Sequence, residues 1–575
     1  MSFKQARRFV GVPPSLLRRL LGSSSRTSIF VPRSSLNVTD KFVVQARPSN
    51  KKPTDVRQMV KKVTKKSKKD TKDSTSRANI LFYEIQDALL KFKEKFGTSL
   101  SLSQITIQPE LLEVFLFTRN RPLVEIPSVE IIYQTSEGHG LAIVPQSLYA
   151  TPFMENQTDI FNSYTVIQVP KAIVGDKVSV KLLTHHDYYC ESEMLEIVKP
   201  SPKRNQKLII CDKFESCTGC QFQMLPYEEQ LEHKSSIISR AYKFFYPNLE
   251  KEQPQLGSFG VVTGSPMQYA YRNKLTPHYK RNKNYVEGKF DIGFIHPNPT
   301  KGITDIDYCP ISSPTINQSL QYFKRKQFEI EAAKEYNPRS NLGGLNLRES
   351  VHVNAETGSH KNICLEGGKK IITTLVEENI FQYESDLFFQ INPSILPLVF
   401  DFIRYHLKQS ETKLQYLIDS YCGVGLFGIC LANNFPGKVF GIEIDPNSIK
   451  YATKNAKLNG LKVPDKIQFI DGDAETMFSS PEFVNSGIVG EQSVVIMDPS
   501  RKGSTNLFLK QLVQLKPKMV VYVSCNVFTQ ARDLAAFNTF LKAQNLNYVV
   551  KDIVGFDFFP QTRHVETVAI LELQE

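Results

Sequence analysis

The last third of this chain alternates short apolar runs with amphipathic segments, and this alternation constrains the fold more than any other feature. Six runs rich in Val, Ile, Phe and Tyr lie within residues 381–575, and segments with helical periodicity separate most of them. Strands that alternate with helices build a mostly parallel sheet with helices on both faces. We therefore predict a doubly wound α/β domain over 381–575.

The first of these strands runs into a glycine-rich turn. The stretch "LIDSYCGVGLFGICLA" (417–432) passes from an apolar strand through Gly423, Gly425 and Gly428 into a helix. Such glycines let the backbone turn tightly and approach a ligand closely, although many α/β turns carry the same pattern. The pattern fits NAD and S-adenosylmethionine (AdoMet) equally, so the neighbouring chemistry has to separate them.

Acidic side chains follow the next strands. Glu443 ends "VFGIE", Asp473 follows "IQFID", and Asp498 follows "SVVIM". The carboxyl ends of parallel strands share one edge of a sheet, where ligands bind. We expect Glu443 to hold ribose hydroxyls and Asp473 to lie near an adenine. Four strand ends thus carry either the glycine turn or an acidic residue suited to a ligand. A purely structural turn would not explain this pattern.

A cysteine stands at the tip of a further strand, in "VVYVSCNVFTQARDL" (520–534). A lone cysteine is more often an inert buried thiol. Beside a methyl donor, however, a thiolate can add to C6 of a pyrimidine and make C5 nucleophilic. A base must then remove the C5 proton, and His564 and Glu566 stand at the start of the last strand. Because hydride transfer has no use for Cys525, we favour AdoMet over NAD.

Six motifs follow one another in a fixed order through this segment. They are "FFQINPSILPLV" (388–399), "DSYCGVGLFG" (419–428), "GIEID" (441–445), "MDPSRKG" (497–503), "YVSCNVFTQARDL" (522–534) and "HVETV" (564–568). Together they resemble the RNA uracil-5-methyltransferases, the TrmA/RumA-like family, and most of all its eukaryotic, tRNA-specific members. The resemblance covers residues 123–575.

The resemblance implies a role for individual residues. It implies that Cys525 is the nucleophile and Glu566 the proton-abstracting base, with Arg501 and Asn526 in support. The AdoMet or active-site contacts that it implies are Gln390, Tyr421, Glu443, Asp473 and Asp498.

Two positions depart from the family pattern, and one histidine has no clear role. Ser500 and Val527 stand where the family usually has proline, which changes loop stiffness rather than a reacting group. We expect His564 to be a surface histidine whose hydrogen-bonding groups are satisfied. An RNA contact and a proton relay are the alternatives.

Nine cysteines, unevenly spaced, are typical of reduced thiols in an intracellular protein. Cys211, Cys217 and Cys220 form a C-x5-C-x2-C pattern, and Cys309 follows in "DYCPISS". Four thiols suit zinc or a [4Fe–4S] cluster. The spacing differs from the C-x3-C-x2-C of radical-AdoMet enzymes. Because RumA-like relatives carry this arrangement and bind [4Fe–4S], we expect that cluster in a structural or RNA-positioning role; zinc and a metal-free remnant are alternatives.

The upstream segments differ in character. Short β-rich runs broken by Gly and Pro over 122–201 predict a small all-β barrel. It resembles a TRAM domain, an OB-like RNA-binding barrel, although such barrels are often only structural. Residues 202–380 mix strands and helices, which predicts an α+β central domain. A helical linker is expected over 78–121.

The positive charge of the chain is concentrated in a tail over residues 1–77. This tail carries 20 Lys and Arg against four Asp, a net charge of +16, whereas the whole chain nets +13. We expect it to be disordered. Residues 1–39 resemble a mitochondrial transit peptide and a plain basic tail equally well. The Lys-rich run 51–73 fits a nuclear localisation signal, an RNA-attracting arm or a solvated linker. We expect an intracellular, soluble enzyme in the mitochondrion, the nucleus or the cytoplasm.

These features together predict AdoMet-dependent methylation of uracil C5 in structured RNA. The target base must be flipped into a pocket, and the family and the basic extension favour the T-loop uridine at tRNA position 54. Ribosomal RNA is the alternative substrate. A cytosine-C5 methyltransferase is disfavoured because its cysteine follows Pro or Thr, whereas Cys525 follows Ser524. A non-catalytic Fe–S or zinc RNA-binding protein is the remaining alternative. We expect a monomer with no membrane and no obligate protein partner.

Overall fold

The fold is described from a computed structural model. It describes residues 73–105, 124–146, 164–257, 259–280, 290–298, 301–334, 342–353 and 360–574. The basic tail up to residue 72 and the end of the predicted linker, from residue 106, lie outside these residues. Within the described ranges, no helix is long and apolar enough to span a membrane.

The described chain begins with a long amphipathic helix, α1 (Arg77–Phe96), followed by the short α2 (Leu102–Ile105). The Ser76 side chain caps α1 by accepting from the Asn79 N–H, and Gly97 ends it with a φ of 73°. The buried residues of α1 recur at helical spacing and pack against the next unit of the chain.

That next unit is a single six-stranded sheet. Its strands are β1 (Glu125–Glu130), β2 (Tyr133–Gln134), β3 (His139–Pro145), β4 (Tyr164–Pro170), β5 (Lys177–His185) and β6 (Cys190–Lys199). The strand order is β1-β5-β6-β4-β3-β2, and every pair is antiparallel except β4 with β6. One hydrophobic cluster of this sheet includes α1, and a second lies among the strands alone. The described residues of the segment 122–201 therefore form an all-β unit.

The central segment combines small sheets with helices. Its helices are α3 (Tyr227–Phe245), α4 (Leu249–Glu252) and α5 (Pro314–Ala332). Its strands are β7 (Val262–Thr263), β8 (Lys274–Leu275), β9 (His278–Tyr279), β10 (Ile292–Ile295), β11 (Ile303–Asp305), β12 (Gly343–Gly344), β13 (Leu347–Val353), β14 (His360–Glu366), β15 (Ile371–Val376) and β16 (Asn379–Glu384). They form a four-stranded sheet β11-β10-β9-β12, a three-stranded sheet β14-β13-β8 and the hairpin β15-β16.

The C-terminal segment alternates strands and helices. The strands are β17 (Tyr416–Asp419), β18 (Val439–Glu443), β19 (Ile467–Asp471), β20 (Ser493–Met497), β21 (Met519–Ser524), β22 (Tyr548–Phe556) and β23 (Glu566–Leu573). The helices are α6 (Leu396–Gln409), α7 (Leu426–Leu431), α8 (Pro446–Leu458), α9 (Pro481–Val484), α10 (Asn506–Leu515) and α11 (Val527–Ala543).

Short 3-10 helices occur in both the central and the C-terminal segments. They span Gln206–Leu208, Pro254–Leu256, Ala432–Asn434, Met477–Ser479 and Gly490–Gln492.

These strands build one eight-stranded sheet in the order β19-β18-β17-β20-β21-β23-β22-β7. The first five are mutually parallel, and β23 is antiparallel to both β21 and β22. The predicted doubly wound α/β domain is confirmed. The prediction omitted β22 and also β7, a two-residue strand from the central segment that pairs in parallel with β22.

Both faces of this sheet are covered by helices. Successive residues of a strand point to opposite faces. Leu417 accordingly belongs to a hydrophobic cluster that includes residues of α6 and α7, and Ile418 to a cluster that includes residues of α3 and α11. Helix α3, which precedes residue 381, is therefore part of the core of the C-terminal sheet. The Tyr242 hydroxyl on α3 donates to the Gln530 side-chain oxygen on α11 at 2.9 Å.

Candidate active site

The glycine turn predicted to bind a cofactor leads from β17 into α7. Gly423 and Gly425 have φ values of +53° and +93°, a backbone region that side chains other than glycine rarely adopt. A Cβ on Gly425 would also lie 2.8 Å from the Ile429 Cδ1 atom. Asp419, at the end of β17, accepts from the Gly428 N–H at 2.9 Å, so a buried carboxylate holds the start of α7.

Glu443 binds the same turn from the neighbouring strand. Its Oε2 accepts from the Gly423 N–H at 3.1 Å, and its Oε1 accepts from the Asp445 N–H at 3.0 Å. Each carboxylate oxygen has a further lone pair. Glu443 can therefore fix the turn and still accept from ribose hydroxyls.

The other predicted cofactor residues lie along the same edge of the sheet. Tyr421 follows β17, with its hydroxyl 3.5 Å from the Ser504 Oγ. Burial raises the pKa of Tyr421 to about 12, and the Asp473 carboxylate contributes to the rise, which places these two side chains near each other. Asp498 follows β20, the next strand on the other side of β17.

Gln390 lies outside the sheet. It is buried, with 6% of its surface exposed, in the segment that leads into α6. Two residues later, the Asn392 side chain donates to the Phe558 carbonyl at 3.0 Å. The segment that carries Gln390 is therefore attached to the loop 557–565, which ends at Glu566.

Cys525 and Glu566 lie opposite each other at the end of an antiparallel strand pair. Strands β21 and β23 pair in a register that sets Ser524 opposite Thr567. Extending this register by one residue sets Cys525 opposite Glu566. The two residues predicted as nucleophile and base are thus brought together by strand pairing, beside the edge that carries the glycine turn.

The charges around this pair act on one another. Burial raises the pKa of Cys525 to about 12, with added contributions from Glu566 and Asp498. Burial and Asp498 raise the pKa of Glu566 to about 8. The Arg501 guanidinium lowers both values. Arg501 is therefore close enough to stabilise a thiolate at Cys525.

A cavity of about 130 Å³ opens beside Cys525. Besides Cys525, its charged, polar and aromatic walls are formed by Thr75, Arg77, Glu84, Ser136, Glu137, Arg501, Asn526, Phe528, Arg563 and His564. His564 thus lies in the wall of the cavity, and burial lowers its pKa to about 3, so that it is neutral at pH 7. Arg77, Glu137 and Arg563 were not predicted as site residues, because no motif marks them.

The loops at the two departures from the family pattern are held by hydrogen bonds. The Asn526 side chain accepts from the Phe528 N–H at 3.2 Å, which caps α11, and donates to the Arg501 carbonyl at 2.9 Å. The Gly503 N–H donates to the Ser500 carbonyl at 2.9 Å. The loop that carries Arg501 is therefore fixed without proline at position 500.

The chain is similar in sequence to known tRNA methyltransferases. A sequence model of the tRNA (uracil-5-)-methyltransferase family matches residues 303–574. The tRNA (uracil(54)-C(5))-methyltransferase of Saccharomyces cerevisiae is 33% identical over 552 residues, which cover 87% of this chain and 82% of that protein. The protein of the same name from Schizosaccharomyces pombe is 33% identical over 475 residues, 80% of this chain and 82% of that one. The chain belongs to the tRNA (uracil-5-)-methyltransferase family.

A solved structure shows the same fold in this family. The Pyrococcus abyssi tRNA (uracil-54, C5)-methyltransferase, determined in complex with S-adenosyl-L-homocysteine, matches with a TM-score of 0.53 and 23% identity. The match covers 77% of this chain and 99% of that one. The fold of this methyltransferase therefore extends well beyond the catalytic sheet.

The four cysteines predicted to bind a metal line a second cavity of this methyltransferase. Cys211, Cys217, Cys220 and Cys309 surround a space of about 160 Å³. The Gly219 N–H donates to the Cys217 Sγ at 3.3 Å. As they are placed, the described His, Cys, Asp and Glu side chains include no group of three or more that could hold a metal ion.

The charges near the cysteine cavity favour bound thiolates. Burial raises the pKa of Cys309 to about 11, while the Arg272 guanidinium lowers it. The Lys171 ammonium lies above the Phe214 ring of this cavity, 4.3 Å from its centroid. Burial raises the pKa of Cys217, and the Lys171 charge opposes this rise. Four thiols and two neighbouring cations therefore share this cavity.

Proposed function

We propose that this protein transfers a methyl group from AdoMet to C5 of uridine 54 in the T loop of tRNA. The observation that carries the proposal is the pairing of Ser524 with Thr567. Cys525 and Glu566 are the next residues beyond this pair, at the edge of the sheet where the glycine turn lies. The names of the two yeast relatives, which cover most of this chain, support tRNA uridine 54 as the target. In this proposal Cys525 is the nucleophile and Glu566 is the base.

The reaction proceeds by covalent catalysis. The Cys525 thiolate adds to C6 of the uracil, and the C5=C6 electron pair moves toward C4 as an enolate. C5 then attacks the methyl carbon of AdoMet, and S-adenosylhomocysteine leaves. Glu566 removes the proton from C5, the C5=C6 double bond re-forms, and the Cys525 thiolate is expelled.

The residues around the pair prepare these steps. The Arg501 guanidinium stabilises the thiolate, whose ionisation burial opposes. The raised pKa of Glu566, about 8, makes this carboxylate a stronger base than an exposed glutamate. Asp498, whose pKa burial raises to about 7, lies at the next strand end, where it can bind the uracil edge.

AdoMet would bind along the carboxyl edge of β17, β18 and β19. The Gly423 and Gly425 turn leaves room for the methionine part, and Glu443 accepts from the ribose hydroxyls. Asp473 and Tyr421 lie where the adenine would be placed. Gln390 contacts the cofactor or the target base from the segment before α6.

The all-β unit over 122–201 would hold the rest of the RNA as a TRAM-like barrel. It contributes Ser136 and Glu137 to the wall of the Cys525 cavity, so RNA bound to this unit reaches the nucleophile. The target base is stacked in duplex or loop RNA and must be flipped out to reach Cys525.

The experiment that tests this function is covalent trapping. A tRNA T-arm with 5-fluorouridine at position 54 is incubated with the protein and AdoMet, and a denaturation-resistant protein–RNA band is measured. Because fluorine at C5 cannot leave as a proton, we expect the adduct to persist. Cys525→Ala should abolish the band, and Cys190→Ala, a buried cysteine of the all-β unit, should keep it.

The outcomes of trapping separate the candidate functions. A band with ribosomal RNA and none with the T-arm would keep the chemistry and change the substrate. AdoMet binding without a band on either RNA would contradict the covalent mechanism and favour a non-catalytic RNA-binding protein.

The cysteine cavity is proposed to hold a [4Fe–4S] cluster, with Cys211, Cys217, Cys220 and Cys309 as ligands. The donor set and the adjacent cations support this proposal. A bound cluster would supply structural cross-linking between the segment 211–220 and the loop at Cys309, since methyl transfer needs no electron. The test is iron and acid-labile sulfide analysis after anaerobic purification.

Variants make the cluster test specific. Cys220→Ser should lose iron and sulfide together, while Cys364→Ser, outside the cavity, should retain both. Zinc in place of iron would identify a zinc site, and neither metal in the unaltered protein would contradict a metal site.

A further inference from the structure

Three arginines from distant parts of the chain meet in the cavity beside Cys525. Arg77 comes from the first turn of α1, Arg501 from the loop after β20, and Arg563 from the loop before β23. The chemistry of methyl transfer described above uses only Arg501. The mechanism therefore leaves Arg77 and Arg563 without a role.

The carboxylates in the same walls do not balance these charges. Glu84 is held by the Arg240 guanidinium at 3.0 Å and by the Ser136 N–H at 2.7 Å. Glu137 is shared, since it forms an ion pair with Arg563 and lies 3.7 Å from Arg77. Among described residues, no carboxylate lies within ion-pair distance of Arg501. The cavity therefore carries a net positive charge next to the nucleophile.

Arg77 is held in place and yet open to solvent. Its side chain is 70% exposed, and the helix that carries it packs on the all-β unit. The turn before the helix is tied to the catalytic domain, because the Arg532 Nη1 donates to the Thr75 hydroxyl at 3.3 Å. Arg532 also donates to the Lys502 carbonyl at 2.7 Å, in the loop that carries Arg501. One residue thus links the start of α1 to the Arg501 loop.

We propose that Arg77, Arg501 and Arg563 bind a backbone phosphate of the RNA beside the uridine that reacts with Cys525. Helix α1, which precedes the all-β unit, is then part of the active site. This inference rests on the proposed function. A guanidinium presents paired N–H donors that match phosphate oxygens, and a flipped nucleotide brings its own phosphates to the mouth of the pocket.

Glu137 has a place in the same arrangement. In the free protein it holds Arg563 and Arg77 together. A phosphate would take over these contacts and displace the Glu137 carboxylate. Removing this carboxylate should therefore strengthen RNA binding, whereas removing Arg77 should weaken it.

The test compares Arg77→Ala with Lys91→Ala, a lysine of the same helix that pairs with Glu94. The dissociation constant of the unmodified T-arm RNA is measured at several salt concentrations. Arg77→Ala is expected to weaken RNA binding about tenfold. It should also reduce the magnitude of the slope of log K against log salt concentration by roughly 0.7 to 0.9. Lys91→Ala should match the unaltered protein.

Glu137→Gln provides a change of opposite sign. We expect tighter binding and a steeper salt slope, because one competing carboxylate is gone. A purely structural role of this network would instead weaken binding in both variants and leave the salt slopes unchanged, and that result would overturn the inference. Thermal unfolding of each variant shows whether it is folded.

The trapping assay keeps this inference separate from the proposed function. If the unaltered protein forms no adduct with 5-fluorouridine RNA, the proposed function fails. If it forms the adduct and Arg77→Ala binds RNA with the salt slope of Lys91→Ala, only the phosphate site fails.

Discussion

At the residue scale, the surroundings of Glu566, the proposed base, oppose its ionisation. Burial and the Asp498 charge raise its pKa to about 8. Only the ionised carboxylate can remove the C5 proton. Below pH 7, Glu566 is therefore protonated in most of the enzyme molecules, and these molecules are inactive for this step. The same burial that strengthens the base therefore makes the reaction dependent on pH.

The pH dependence of turnover follows from the sign of this shift. We expect the rate to rise with pH by about tenfold per unit well below pH 8 and to rise less steeply above it. The measurement is the methyl-transfer rate from pH 6 to 9 at saturating AdoMet and RNA, with AdoMet affinity measured over the same range as control. A flat profile would contradict the role of Glu566 as the base in the rate-limiting step.

Replacing Glu566 by glutamine should stop the reaction after methyl transfer. Cys525 can still add to C6 and C5 can still take the methyl group, but no base removes the C5 proton. We therefore expect Glu566→Gln to accumulate a denaturation-resistant adduct on ordinary uridine RNA, without fluorine. The double variant with Cys525→Ala should show no adduct. Normal turnover by the single variant would assign the proton to another group.

At the element scale, helix α3 fixes the loop 557–565 that leads to Glu566. The Lys234 ammonium on α3 donates to the Asp557 carboxylate at 2.5 Å and to the Phe559 carbonyl at 3.0 Å. The Tyr271 hydroxyl donates to the Pro560 carbonyl at 3.1 Å. The central segment thus holds the loop that carries Arg563 and His564.

Breaking the buried ion pair of this loop should cost much more than breaking an exposed one. Both Lys234 and Asp557 are fully buried, so Lys234→Met leaves a buried carboxylate unpaired. We expect a loss of about 3–5 kcal/mol in the free energy of unfolding. Lys243→Met, on the exposed side of α3 and paired with Asp87, should cost roughly 0–1 kcal/mol. Urea denaturation measures both, and equal losses would contradict this account.

The cysteine segment acts on the same loop. The Gln221 and Phe222 N–H groups, next to Cys220, donate to the Gln561 carbonyl at 2.9 and 3.0 Å. The Arg563 N–H donates to the Gln221 side-chain oxygen at 3.1 Å. A group bound by the cysteines would therefore stiffen the loop that supplies Arg563 to the cavity.

At the scale of the whole molecule, the candidate site is assembled from all of the described units. The nucleophile and base come from the C-terminal sheet, Arg77 from α1, and Glu137 from the all-β unit. The central segment contributes β7 to the catalytic sheet and positions the loop before Glu566. Residues proposed for RNA binding and for catalysis therefore line the same cavity.

The tail over residues 1–72 should strengthen RNA binding through its positive charge and take no part in the methyl-transfer reaction. It carries 19 Lys and Arg and three Asp, and cations released from RNA by such a segment make binding dependent on salt. We expect its deletion to weaken tRNA binding and to lower the salt slope, while AdoMet affinity and the Cys525 adduct at saturating RNA stay unchanged. Isothermal titration and filter binding measure the two affinities. An unchanged salt slope would show that the tail does not contact RNA.

The sequence by itself determined the class of the catalytic domain and the chemistry of its site. Strand and helix periodicity and the glycine turn are local patterns, so they could be read along the chain for β17 to β21 and β23. The motifs at Cys525 and Glu566 were found in the same way. Strand β22 and the two-residue β7 were missed, because β7 is too short to show a pattern and exists only through its partner.

Tertiary packing alone decided which residues surround the nucleophile. Arg77, Glu137 and Arg563 belong to a helix, a turn of the all-β unit and a loop that are far apart in the chain. Nothing in their local sequence distinguishes them from solvated surface charges. They meet beside Cys525 because α1 packs on the all-β unit and Arg532 ties the start of α1 to the Arg501 loop. Long-range packing of this kind leaves no periodicity or spacing that a sequence pattern could report.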